Sequence, residues 1–362
     1  MLKSRLCIAF FAFAVGCAPA QKPLTDYVNP MLGTATLWDS VDLGFKPTKR
    51  TWGAEVFPGS SLPNAMVQVS PVTKFHSGAG YQYEDSVIYG FTHTNKGHWN
   101  LCHIPLLPVT GTPTPGDYCS PFSHERESAA PGYYQVFLDR YGVDAQLSST
   151  LRCAFHKYTY PAGAAPAVLA DLQRSNEHVR AWDIRKEGDN VFAGWQQTGE
   201  KMYFYAVANR PVTGIEPVVE GDREVRIVRF GEGDGVLELR IGFSFVSEKN
   251  ARENLEAEML GKSFAEVRSE ATATWNDLLG RIRVEGGTER EKGLFYSSLY
   301  RSFLWPALRS DVNGEFTDVD GKVINPGFRY YTGPSYWDDY RNKLILLGTV
   351  SYTHLRAHET GR

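Results

Sequence analysis

Leu237-Glu238-Leu239-Arg240-Ile241-Gly242-Phe243-Ser244-Phe245 carries large apolar residues at every second position, with Glu238 and Arg240 between them. A period of two is the mark of a half-buried antiparallel strand. Just beyond it the period changes. Ser247, three residues ahead of Asn250, reads as a helix start. Phe264, Val267, Ala271, Trp275 and Leu278 then recur at three- and four-residue spacing, with Glu266, Arg268 and Glu270 interleaved, which is the pattern of an amphipathic helix. The boundary at 246/247 therefore divides a β region from a helical one.

Working towards the N-terminus, Ala145, Leu147, Ser149, Leu151, Cys153 and Phe155 again mark alternate positions and predict a strand. Gly231-Glu232-Gly233-Asp234-Gly235 separates Arg223–Phe230 from the 237–245 strand and reads as a hairpin loop. No helix follows it, so a phosphate-cradling role is excluded. From Tyr27 to Val246 strand signals alternate with Gly and Pro and no helical period intervenes, which predicts an antiparallel β-sandwich over 21–246. Working the other way, Gly286-Gly287 closes a helical linker over 247–287. Lys292 to Leu304 places Leu294, Phe295, Ser298, Leu299 and Phe303 on one side before Pro306, the first helix of an all-helical domain over 288–347. Too few residues follow for that domain to close, so the expectation is a truncated one. The fold class expected is mainly β with α.

The chain begins with a basic pair, Lys3 and Arg5, then the apolar run Leu6 to Val15, too short to span a bilayer. Residues 1–20 read as a secretory signal with two cleavage readings: Ala18-Pro19-Ala20, leaving Gln21 first, or a lipoprotein box, Ala14-Val15-Gly16-Cys17, placing a lipid anchor on Cys17. The product is secreted or periplasmic, or an outer-membrane lipoprotein. No later stretch reaches transmembrane length. A net charge of −3 over 362 residues, with the charges interspersed, excludes nucleic acid and polybasic membrane contacts as the main function. Aromatics make up 13%, with eight Trp and nineteen Tyr, which suits a β domain, a sugar-binding surface, or both. Past the signal only Cys102, Cys119 and Cys153 remain. One bridge between the first two would be feasible, Cys153 reads as a core residue, and no zinc motif occurs.

Three stretches could carry chemistry. Asp311-Val312-Asn313-Gly314-Glu315 resembles a calcium loop, but Phe316 and Lys322 stand where an EF-hand needs Gly and Glu, so two turns of a β-excursion fit better. Tyr336-Trp337-Asp338-Asp339-Tyr340-Arg341 packs aromatics, carboxylates and an Arg together. It suits either the grip on a terminal sugar or a helix start with Asp338 or Asp339 in its first turn. His93-Thr94-Asn95-Lys96-Gly97-His98-Trp99-Asn100-Leu101-Cys102-His103 is either a binding loop or a solvated turn.

The order of several motifs then points further. Tyr27-Val28-Asn29-Pro30-Met31-Leu32-Gly33-Thr34 resembles the opening of glycoside hydrolase family 92. So do Phe57-Pro58-Gly59-Ser60-Ser61-Leu62-Pro63, Met66 to Pro71, Gly80-Tyr81, Ile88 to Thr94 and Leu107 to Gly111. Val246-Ser247, Asn250-Ala251 and Asn254 to Glu258 are similar to the family's connector, and Phe295-Tyr296, Leu299-Tyr300, Ser310-Asp311, Gly314 and Trp337-Asp338 to the beginning of its catalytic domain. The resemblance implies a β-sandwich, a helical linker and an (α/α)6 barrel, with the active site between sandwich and barrel. It implies an exported, calcium-dependent exo-acting α-mannosidase that acts on mannose-containing oligosaccharides or glycans with inversion. It also implies that Trp337 and Asp338 bind the terminal sugar. His98, Trp99 and Asn100, in place of the small residues of many members, would bear on linkage. The family's general acid and base lie later in the barrel, so no carboxylate here takes either role, and the calcium ligands are expected outside this stretch. The chain alone is therefore expected to be inactive. The rival reading is a stand-alone carbohydrate-binding or adhesive sandwich. Residues 348–362 do not resemble the family and read as a non-native tail; His354 and His358 lack a third metal ligand nearby.

Overall fold

The structure, a computed structural model, describes residues 22–36, 56–96, 99–332 and 339–350, with only the backbone at 95, 96 and 99. The proposed signal, Cys17, His98, Trp337, Asp338, His354 and His358 lie outside the described residues.

Two antiparallel sheets face each other. One has seven strands in the spatial order Ser60–Ser61, Gln68–Val72, Gly90–Thr92, Leu106–Val109, Ala167–Ala170, Arg223–Phe230 and Val212–Glu220. The other has eight, in the order Ala181–Gly188, Val191–Gln197, Lys201–Ala208, Val236–Ser244, Cys153–Thr159, Val143–Ser149, Tyr133–Leu138 and Glu127–Ala130. Their inner faces share one apolar core, to which the 236–244 strand contributes Leu237, Leu239, Ile241 and Phe243. This is the expected sandwich, and the alternation of the 237–245 stretch is its inner face.

Two local expectations within the sandwich fail. The 145–155 stretch is two strands: the chain turns at Thr150–Arg152, and Val143–Ser149 pairs with Cys153–Thr159. Beyond the turn Ala154 and Tyr158 face the sandwich core, while Cys153 and Phe155 pack under the helices. The 231–235 loop is not a hairpin. Arg223–Phe230 pairs within the seven-stranded sheet and Val236–Ser244 within the eight-stranded one, so the glycine-rich loop carries the chain across the sandwich. Local turn chemistry is the same in both cases; which neighbour pairs with the next strand is a tertiary choice.

Helices Glu248–Glu258 and Phe264–Leu279 lie on the outer face of the eight-stranded sheet. The Ser247 hydroxyl caps the first by accepting from Asn250 N, and Ser263 with Glu266 forms a capping box on the second. The buried face of the second comprises Phe264, Val267, Ala271, Trp275, Leu278 and Leu279. Gly242 makes the first docking feasible, because a Cβ there would stand 2.1 Å from Ala251 O and 2.8 Å from Leu255 Cβ. Helix Glu289–Ser302, with a Thr288–Glu291 capping box, packs Tyr296, Leu299 and Tyr300 towards Trp275 and the N-terminal segment Leu24–Tyr27. Leu294 and Phe295, expected on its buried side, are exposed, since the face is set by those partners rather than by hydropathy. A last helix, Lys343–Val350, buries Leu347 and Val350, so Gly348 to Val350 are helical. No helix of the described residues is long and apolar enough to cross a membrane.

Candidate functional site

A cleft of about 390 Å³ opens where the sandwich meets the segment beyond helix Glu289–Ser302. The sandwich supplies Leu101, Glu177, the Gly199-Glu200 turn and Phe245; the opposite wall is Arg309, Thr317, Asp318, Val319, Tyr330 and Thr332. All five sandwich positions lie in loops or at strand ends, where a rigid sheet can present side chains without using its own hydrogen bonds.

Glu177 is fixed from behind. Thr198 Oγ1 donates to its Oε2 at 2.5 Å, and His103 Nε2 lies 2.9 Å from Thr198 Oγ1 and 3.3 Å from Glu177 Oε2. Thr94 Oγ1 stands 2.8 Å from His103 Nδ1, so the tautomer with its proton on Nε2 lets Thr94 donate to Nδ1. The His103 imidazole, with the Thr198 hydroxyl, holds the Glu177 carboxyl down at about 2. A carboxylate so held is an acceptor for hydroxyl groups and not a proton donor at neutral pH. Across the cleft, the Arg309 guanidinium lies 3.6 Å over the Phe245 ring and pairs with Glu200 at 3.0 Å. Burial pushes its pKa below the ordinary arginine value, and Glu200 opposes that shift.

Residues 310–312 anchor Arg309 from its C-terminal side. The Asp311 carboxylate accepts from Ser244 Oγ (2.6 Å), Asn250 Nδ2 (2.9 Å) and Asn254 Nδ2 (2.7 Å), and Val312 N donates to Asn254 Oδ1. Arg152 donates to Ser310 O and pairs with Glu258 at 2.6 Å. The Asp311–Glu315 stretch is thus a clamp between sandwich, connector and cleft wall. Gly314 turns the chain into the short hairpin Phe316–Thr317 and Val323–Ile324, and Gly321 turns the hairpin itself, as the two-turn reading expected.

Among the expected site residues the structure places Asn100 alone with its side chain. It is buried; its Oδ1 accepts from Cys102 N at 2.8 Å, and its amide lies within 3.3 Å of Thr92 Oγ1. It braces the loop at Cys102, whose φ is 52°, and Leu101 reaches the cleft instead. Asn95–Lys96 and Trp99–Asn100 pair as a two-stranded hairpin. His93 is fully buried against His156, and Cys102, Cys119 and Cys153 are free thiols. Asp339 is buried and pairs with Lys343 at 3.1 Å. Among the described residues no three His, Cys, Asp or Glu side chains converge to hold a metal ion. The sequence reading missed Glu177, Glu200, Phe245, Arg309 and Asp318. The one available signal was polar runs just after apolar strands, as in Arg174-Ser175-Asn176-Glu177-His178.

Residues 27–253 match the glycosyl hydrolase family 92 N-terminal domain and residues 250–357 the family's catalytic domain. The family GH92 alpha-mannosidase BT3965 from Bacteroides thetaiotaomicron superposes with a TM-score of 0.80 at 27% identity, over 90% of this chain and 47% of that one. The family GH92 inverting mannosidase BT2199 of the same species shares the fold, with a TM-score of 0.75 at 23% identity, over 93% of this chain and 48% of that one. An uncharacterized secreted glycosidase of Arthroderma benhamiae is 25% identical over 344 residues, 80% of this chain and 42% of that protein. The chain thus spans about half the length of these relatives. With a sandwich matching one family domain, helices matching the next and a cleft at their junction, the chain belongs to glycosyl hydrolase family 92.

Proposed function

We propose that the full-length protein carrying this chain is an exported glycosidase that releases terminal α-linked mannose from glycans with inversion of the anomeric centre. The observation that carries the reading is the position of the cleft, at the junction of the two family domains, with fixed acceptors on one wall and a buried guanidinium on the other. Such convergent polar groups with aromatic neighbours suit a neutral, hydroxyl-rich ring. The similar BT3965 enzyme has been captured with mannoimidazole, which makes mannose the sugar of choice here.

Inverting hydrolysis needs a carboxylic acid to protonate the leaving oxygen and a carboxylate to activate water. Glu177 is unsuited to the first role, being held ionised, so we assign both roles to residues other than those described. Trp337 and Asp338 are proposed to grip the terminal sugar, and His98 and Trp99 to contact the residue beyond it. Calcium dependence is proposed as a property of the whole protein. The test is to express the reading frame continued past Leu347 and follow an α-linked mannobiose by proton NMR. Initial release of β-mannose supports the proposal. Release of α-mannose refutes inversion, and no release refutes the activity.

A further inference from the structure

We propose that the outer face of the eight-stranded sheet beside the cleft is a second sugar-binding platform, built on Trp195 and Tyr203. It would take the inner residues of a glycan whose end occupies the cleft, and in that respect it rests on the function proposed above. Trp195 and Tyr203 are direct cross-strand partners, with Asp183 opposite Trp195 on the next strand and Gln197 opposite Lys201 one row nearer the turn. Their neighbours Gln196, Met202 and Phe204 point into the sandwich and are buried, so Trp195 and Tyr203 stand on the outer face as half-buried cross-strand neighbours. Helix Glu248–Glu258 covers this face further along, where Leu255 packs with Tyr205 and Val207. Between that helix and the sheet edge the aromatic pair is left without an apolar cover among the described residues.

The surroundings of the rings and their location decide which ligand fits. The rim is polar and of mixed sign: Asp183, Gln197, Lys201 and Arg185, the last bonded to Asp183 and Glu248. Aromatic faces flanked by hydrogen-bonding groups match a neutral pyranose, which offers C–H bonds on its face and hydroxyls at its rim. The Lys201 ammonium stands 3.5 Å over the Trp195 ring and 5.1 Å from that of Tyr203. A long, flexible side chain can swing aside, cede the ring to a sugar and donate to one of its hydroxyls. The platform also adjoins the cleft. Gly199 and Glu200 form the cleft rim, and the strand that bears Tyr203 starts at the next residue. At about 3.3 Å per residue, Tyr203 lies about 10 Å from Glu200, within reach of the same oligosaccharide.

A cross-strand aromatic pair also stabilises a sheet, a role that would be indifferent to sugar, and this separates the two in experiment. Calorimetric titration of the 362-residue chain with a linear α-linked mannotetraose and with methyl α-mannoside is the measurement, repeated on Trp195→Ala and Tyr203→Ala. The platform predicts that the tetraose binds at least tenfold more tightly than the monosaccharide, that each variant loses this advantage, and that monosaccharide binding is unchanged. Should Trp195→Ala fail to fold, Tyr203→Ala carries the same prediction. Tetraose binding that both folded variants retain at parental strength, or that never exceeds monosaccharide binding, overturns the platform. If methyl α-mannoside does not bind while tetraose binding still depends on Trp195, the cleft reading fails and the platform stands.

Discussion

His93 and His156 meet in the middle of the sandwich, Nε2 to Nε2 at 3.0 Å, with His156 Nδ1 2.5 Å from the Tyr158 hydroxyl and the His93 ring 4.5 Å from that of Phe243. Neither ring reaches solvent. Desolvation drives the pKa of His93 from 6.5 to about 3, and burial drives His156 the same way, with His93 as a lesser cause. Because the folded value lies below the unfolded one, the unfolded chain takes up the proton first. The neutral form's stability is complete above 6.5 and is lost as pH falls from there towards 3. For His93 alone, the linkage integral gives a loss of about 2 kcal/mol between pH 7 and pH 5; His156 adds to it in the same direction. Glu177, held down at about 2, begins to contribute only below the ordinary glutamate value of 4.5, outside this window. The burial-raised carboxyls of Asp171 and Asp311 act in the opposite sense, but equally in parent and variant, so a comparison cancels them. Urea unfolding followed by tryptophan fluorescence at pH 7, 6 and 5, on the parent and on His93→Gln, measures the difference. The variant should be less stable at pH 7, having lost its ring contacts, yet should lose about 2 kcal/mol less than the parent on going to pH 5. Parallel losses in the two proteins would show that His93 is not held neutral by the fold and would refute the argument.

Gly242→Ala should cost about 1–3 kcal/mol, because the added methyl meets the backbone of the connector helix rather than a movable side chain; an unchanged melting temperature would refute the close docking. Arg152→Met should cost about 3–5 kcal/mol by leaving Glu258 buried without its cation, measurable by the same urea titration, and Glu258→Gln made in the Met variant should recover part of the loss. Trp275→Ala should cost about 3–5 kcal/mol, since the indole is fully buried, packs on Tyr300 and donates to Ser61 O at 2.7 Å. Trp275→Phe, which keeps most of the volume and loses the hydrogen bond, should fall between Trp275→Ala and the parent.

Much of the fold was legible in the sequence, because its strongest signals are local. The 237–245 alternation survives in the structure as an inner sandwich face, and Phe264 to Leu278 as a helix with the expected buried stripe. Legibility ended where a second layer is laid on. Cys153–Thr159 is covered by the sandwich core on one side and by helices on the other, so both of its faces are largely buried and alternation no longer marks the core. A hairpin there reads as one strand for that reason. The crossover at 231–235 is hidden by a different cause, since glycines report a turn and say nothing of which sheet receives the next strand. The cleft was the least legible part. Glu177, Glu200 and Arg309 come from loops far apart in sequence, carry no period, and acquire meaning only when the topology assembles them.

The Asp311–Glu315 string shows how the two kinds of information meet. Short acidic and amide side chains around Gly314 are what a cation loop and a hydrogen-bonded clamp have in common, so residue types alone do not separate them. Asn250 and Asn254, on the connector helix, donate their side-chain amides to the Asp311 carboxylate, which makes the stretch a clamp in this structure. The helix that donates them is seated by Gly242 and capped by Ser247. Arg309, two residues before Asp311, lies over Phe245 and against Glu200. The connector is therefore more than a link between domains: its two asparagines bond to Asp311 and Val312, the residues that follow the cleft's arginine by two and three positions.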